Sequence, residues 1–164
     1  MHYDVVIAID PDITKSGVAF LEVNTRKLET SSLSFPQLMD YLIWVKGKSQ
    51  VSGQKVVVVV EAGWLNNGNW HVFRSDNASL ASAKGRQVGR NHETGAKIVE
   101  MVKHYGFECV EKKPLRKGWK GKDGKITHDE LAYFTNIIGR TSQDMRDAAL
   151  LAWDYAGLPI RVKV

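Results

Sequence analysis

Five consecutive valines, Val56 to Val60, end at Glu61. A short, unbroken β-branched run has no polar position to turn toward water, so it suits a strand buried on both faces. Val5-Val6-Ile7-Ala8-Ile9 ends in the same manner, at Asp10. Covering both faces of such strands takes helices on either side of a sheet, which places the chain in the α/β class.

The remaining segments fill in that layout. Pro11 and the stretch Asp12 to Gly17 form a turn, and Val18 to Val23 reads as a second strand hairpinned to the first. Lys27 to Ser34 alternates weakly, as an edge strand does. Pro36 opens a helix through about Lys46, with Leu38, Met39, Leu42, Ile43 and Val45 on its apolar side. A loop rich in glycine and aromatic residues, Gly63 to Asp76, precedes a long helical tract over about Ser79 to Tyr105 that stops at Gly106. Phe107 to Val110 gives a fifth strand. Thr127 and Glu130 form a capping box for a short helix to about Asn136, and a last helix runs from about Ser142 to Ala156. The expectation is a mixed five-stranded sheet flanked by helices, in one domain of 164 residues. Gly85, Gly89 and Gly95 each cost ~1 kcal/mol in a helix relative to alanine. Close packing, against the sheet or against a second subunit, is the expected reason.

Four acids stand where solvation alone does not account for them. Asp10 and Glu61 end the two buried strands; if those strands are parallel neighbours, both acids lie at the edge where open α/β sheets bind ligands. Asp144 and Asp147, spaced i, i+3, share a helix face that continues through Ala148, Leu151, Ala152 and Tyr155, an apolar face that should pack on the sheet. Taken singly, Asp10 before a proline is as much a turn former, Glu61 a solvated strand end, and Asp144 a first-turn acid favoured by the helix dipole. Taken together, four converging carboxylates repel one another unless cations neutralise them. Oxygen ligands without a histidine-cysteine cluster suit magnesium or manganese, and a pair of such ions is the standard device for phosphodiester hydrolysis.

The formal charge of +5 weakly favours a polyanionic partner. Its distribution says more: seven of the fourteen residues from Lys112 to Lys125 are basic, with Trp119 among them. Arg116, Lys117, Lys120, Lys122 and Lys125 are candidate phosphate contacts, and glycines 118, 121 and 124 allow close backbone approach or mobility; a solvated basic loop is the plainer reading. Ser79, Lys84, Arg86 and Arg90 are further candidates for backbone contacts. His128 is a candidate for orienting phosphate or water, and equally a surface residue at a helix start.

The segments Ile7-Ala8-Ile9-Asp10-Pro11 with Gly17, Val58-Val59-Val60-Glu61, and Asp144-Met145-Arg146-Asp147-Ala148-Ala149 resemble, in order, the motifs of RuvC-type Holliday-junction resolvases, and Gly85 and Gly89 resemble glycines of that family's central helix. The resemblance implies a ribonuclease H-like fold and a two-magnesium endonuclease, with manganese as a substitute, acting on four-way or other branched DNA as a homodimer. It implies Asp10, Glu61, Asp144 and Asp147 as catalytic metal ligands, Lys117 and Lys125 near the cut, and Trp64 stacking on an unpaired base; packing of Trp64 and Trp70 beneath the loop is the competing reading. Asp12 in place of a glycine and the long loop after Glu61 point to a divergent, viral branch. A ribonuclease H-like enzyme cutting RNA–DNA hybrids and a non-catalytic DNA-binding module are the alternatives; a two-lobed sugar-kinase-like ATPase needs more chain than this. The single cysteine, Cys109, excludes an intramolecular disulfide, no apolar stretch reaches the ~20 residues of a membrane span, and no basic leader opens the chain. A location in the bacterial cytoplasm, or in a host cell for a viral protein, is expected.

Overall fold

Alternation along the two apolar runs decides the layers. In the computed structural model, which describes residues 2–66 and 73–164, β1 (Val5–Asp10) and β4 (Val56–Glu61) lie side by side and parallel. Val6, Ala8, Val57 and Val59 face one side of the sheet, and Val5, Ile7, Ile9, Val58 and Val60 face the other. Both rows are fully buried, which is why neither strand carries a polar residue before its terminal acid.

β2 (Ser16–Glu22) and β3 (Lys27–Leu33) extend the sheet antiparallel on one flank, and β5 (Glu108–Lys112) extends it parallel on the other, giving the order β3-β2-β1-β4-β5. The helices α1 (Phe35–Ser52) and α2 (Ala78–His104) supply Leu38, Leu42, Ile98 and Val102 to one core. On the opposite face α3 (His128–Thr135) and α4 (Gln143–Tyr155) supply Leu131, Leu151 and Trp153. This is the mixed five-stranded sheet flanked by helices expected of a ribonuclease H-like fold. No helix among the described residues is long and apolar enough to cross a membrane.

Several boundaries differ from the sequence expectation; β2, for one, opens at Ser16 rather than Val18. α1 continues past Lys46 to Ser52, where Gly53 in the left-handed region caps it. Its last turns carry no buried side chain, so apolar periodicity could not reveal them; the backbone ladder and the glycine cap hold them. β5 runs to Lys112 because its parallel ladder with β4 continues to the pair Glu61 and Lys112, whereas Phe107 enters the core one step before the ladder starts. Thr127 and Glu130 form the expected capping box.

Glycine placement follows two different needs. A Cβ on Gly17 would stand 2.0 Å from the Asp144 carbonyl oxygen, so the start of α4 lies directly on the β2 backbone. A Cβ on Gly95 would meet the Trp64 ring at 2.3 Å, so the close packing expected there is with the chain's own tryptophan. Among the described residues, nothing lies within 4 Å of such an atom on Gly89, so close packing at this position is not made with them.

Substitution tests this contrast. Gly17→Ala is expected to lower the unfolding free energy by about 2 kcal/mol, as overpacking does. Gly89→Ala should raise it by roughly 0.5–1 kcal/mol through helix propensity. Urea titrations that ranked the two variants alike would contradict this packing.

Candidate metal centre and phosphate-binding cleft

Asp10 and Glu61 continue the rows Val6-Ala8 and Val57-Val59, so the pleat sends both carboxylates to the α4 side of the sheet. β1 and β4 are in parallel register up to the pair Ile9 and Val60, which leaves the two acids abreast at the strand ends. α4 runs over β1, β2 and β3, with Ala148, Leu151 and Ala152 in the core. Its apolar face carries Asp144 and Asp147 in the turn above the sheet's edge. All four acids line one open cleft of about 730 Å³.

Their electrostatics match that crowding. Burial, then the charges of Glu61, Asp147 and Asp144, pushes the Asp10 carboxyl well above its usual range, against the pull of Lys125. Burial and Asp147 push Glu61 up to about 7, with Lys125 and Lys117 opposing. Asp144 is raised by burial and by Asp12, a fifth acid on the cleft. The Lys125 ammonium sits 3.0 Å from Asp147 Oδ2; burial pulls its affinity for a proton down, but Asp147, Asp10 and Asp144 outweigh it and hold the group charged. Lys125 pairs directly with only one of these carboxylates, and the repulsion left among the others in a half-buried place is the condition a divalent cation relieves.

The donor set therefore fits a hard divalent ion: carboxylate oxygens, with no thiolate on the cleft. Among the described residues, no three His, Cys, Asp or Glu side chains already close around one point. The acids ring the cleft, and both oxygens of Asp147 are taken, Oδ2 by Lys125 and Oδ1 by Gln143 Nε2 at 2.7 Å.

Lys113, Arg116, Lys117 and Lys125 line the same cleft as the acids. The loop bearing them is tied down. Gly118 and Trp119 backbone N–H groups donate to the Gly124 carbonyl, Gly121 N–H donates to Lys125, and Lys120 N–H donates to the buried Glu130 carboxylate. Trp119 stacks on Phe134, which meets Trp153 edge-on in the core. A Cβ on Gly121 would strike the Lys125 carbonyl at 2.3 Å, and Gly124 has φ +73°, so these two glycines serve loop closure. The plainer reading of a loose solvated loop does not describe this segment.

The structure brings Asp10, Glu61, Asp144, Asp147, Trp64, Arg116, Lys117 and Lys125 to one cleft. Lys120 and Lys122 do not line it; the Lys120 ammonium reaches the Lys163 carbonyl instead. His128 also lies off the cleft, with Nδ1 at 2.9 Å from Thr141 Oγ1. Ser79 and Arg86 are exposed on the first turns of α2 and do not line the cleft. Trp64 is half-buried, donating from Nε1 to Glu111 and resting on Gly95, so packing and cleft lining coexist in one side chain. Trp70 lies outside the described residues.

Several contributors escaped the sequence reading. Asn91 joins α2 to the turn after β1 by accepting from Ile13 N–H and reaching Asp12, a long-range pairing with no local signal. His92 lines the cleft beside Trp64. Gln143 stands four residues before Asp147, a helical spacing from which their contact was readable.

No protein-family model and no curated protein matches the chain. Its structure is similar to T. thermophilus RuvC in complex with a Holliday junction substrate, at 16% identity and a TM-score of 0.48, over 94% of this chain and 93% of that one. It is similar to Fowlpox virus resolvase in complex with substrate Holliday junction DNA, at 13% identity and a TM-score of 0.44, over 93% and 97%. A further likeness is to the large terminase nuclease of thermophilic phage G20c, at 13% identity and a TM-score of 0.33, over 93% and 82%.

Crowded acids give a stability signature. The folded protein holds a proton on Glu61 up to about pH 7, while the unfolded chain releases it near 4.5. Metal-free protein is therefore expected to lose stability as pH rises between those values, then level off. Glu61→Gln should flatten the slope, and magnesium should restore stability at pH 8 but not at pH 5. Thermal melting in EDTA that showed a rising or flat profile over that window would contradict the crowding.

Proposed function

We propose that the chain is a divalent-metal-dependent endonuclease that cuts branched DNA, four-way junctions above all. The observation that carries this reading is that four carboxylates and four basic side chains, Lys113, Arg116, Lys117 and Lys125, line a single cleft. Acids alone would repel a nucleic acid backbone, and basic residues alone would bind it without chemistry. Together they suit a phosphodiester held against bound cations.

Asp10, Glu61, Asp144 and Asp147 would hold the metal. A pair of magnesium ions there, with manganese as a substitute, would supply an activated water and neutralise the charge that develops on the leaving 3′ oxygen. The protein does the rest. Arg116, Lys117 and Lys125 draw the phosphate into the cleft and hold its free oxygens, and Lys120 and Lys122, on the same loop, extend the attraction outward. Trp64, fixed by Glu111 and Gly95, offers a rigid face on which an unpaired base can stack, worth roughly 1–3 kcal/mol. A junction supplies such bases where duplex arms part; a linear duplex does not. Two symmetric cuts need two clefts, which a homodimer provides.

The purified protein should nick a synthetic four-way junction with magnesium and lose that activity in EDTA. Asp10→Asn should bind the junction yet leave it intact. Lys117→Ala should weaken binding and reduce the slope of log affinity against log salt by about 1. Linear duplex or RNA–DNA hybrid cut as fast as the junction would remove the junction assignment.

A further inference from the structure

A strap of side chains on the first turns of α4 ties together the two groups that oppose each other in the cleft. Gln143, the first residue of the helix, donates from Nε2 to Asp147 Oδ1 at 2.7 Å and to the Ile126 carbonyl at 3.3 Å. Its Oε1 accepts from Arg146 Nη2 at 2.8 Å. Arg146 donates from Nε to the same Ile126 carbonyl at 3.0 Å, and from Nη1 to the Thr141 carbonyl at 2.6 Å. Ile126 is 1% exposed and follows Lys125 directly.

Two consequences follow from this wiring. The carbonyl just beyond Lys125 takes two donors from α4, so the backbone that carries the ammonium is fixed to the helix that carries Asp147. The Asp147 carboxylate is also restrained in rotation: Oδ1 is held by the Gln143 amide, itself tied into the strap, while Oδ2 meets the ammonium of Lys125. An aspartate restrained in this way meets a cation through one oxygen at a set angle. Arg146 suits the task because a planar guanidinium spans three acceptors at once, which an ammonium cannot do.

We propose that Gln143 and Arg146 act as one positioning unit, which sets the angle of the Asp147 carboxylate and its distance from Lys125 and so tunes the affinity of the acid cluster for a divalent cation. This rests on the metal-dependent reading of the same cleft. Neither residue needs to touch the substrate; partners of metal ligands typically contribute about 10–100-fold in metal affinity or activity.

The test compares Gln143→Leu, Arg146→Lys and the double variant with the wild type. Three measurements are made: junction affinity in EDTA, the magnesium concentration that half-saturates the rise in melting temperature, and junction cleavage. Junction affinity in EDTA should stay within about twofold. The magnesium midpoint should rise about tenfold in each single variant, and kcat should fall with little change in KM. Because both side chains serve one network, the double variant should be no worse than the poorer single one.

Magnesium midpoints unchanged in both single variants, or losses that multiply in the double variant, would overturn the proposal. Should Arg146→Lys fail to fold, Gln143→Leu decides alone, since it removes only a half-buried amide. A wild type that melts higher with magnesium but cuts no junction would sink the nuclease reading and leave the strap to be judged on the midpoints. A wild type that shows neither response would sink both.

Discussion

Mutual repulsion among half-buried carboxylates is the constraint around which the rest of the molecule is arranged. Asp10, Glu61, Asp144 and Asp147 gain nothing for folding by standing together; burial and proximity push Asp10, Glu61 and Asp144 toward the neutral acid. Something must force them into one place. The sheet does so for the first two, through a parallel register backed by fully buried valine and isoleucine rows. The apolar face of α4 does so for the other two, with Ala148, Leu151 and Ala152 burying enough surface to bring the helix start over the sheet edge. Lys125 relieves part of the cost, and the other basic side chains lining the cleft offset more of the negative charge.

The basic loop shows how a charged segment can be made a firm surface. Seven like charges in fourteen residues would normally stay solvated and mobile. Here the loop folds back on itself through Gly118, Gly121 and Gly124, hangs from Glu130, and roots Trp119 in the core beside Phe134. The cationic side chains are thus presented from a fixed frame. Ordering a loop in advance spares the entropy that a mobile one would lose on meeting its partner.

The fold was legible because its strongest signals are local. Uninterrupted β-branched runs ending in acids, the Thr127–Glu130 capping box and the i, i+3 acids on an apolar helix face each have one physical reading once combined. Acids from β1, β4 and α4 could be placed together because strand pairing and helix amphipathicity are written in the residues. The tail of α1 was not legible, since backbone bonds and a glycine cap leave no apolar trace. Nor was the division of the basic run, where Lys125 joins the acids while Lys120 turns toward Lys163. Residue type fixes charge but not direction in a loop, and direction here comes from Trp119 and Glu130. The Asn91 tether to the turn after β1 joins positions far apart in the chain, and nothing at either position announces the other.

Gly17 stands opposite Asp10 in the β1–β2 ladder and beneath the carbonyl of Asp144. The gap between two of the four acids is thereby set by main chain resting on main chain. At this point the contact is between backbones, so it does not depend on the side chain carried at position 144. A backbone contact of this kind tolerates change in neighbouring side chains as long as position 17 itself stays glycine.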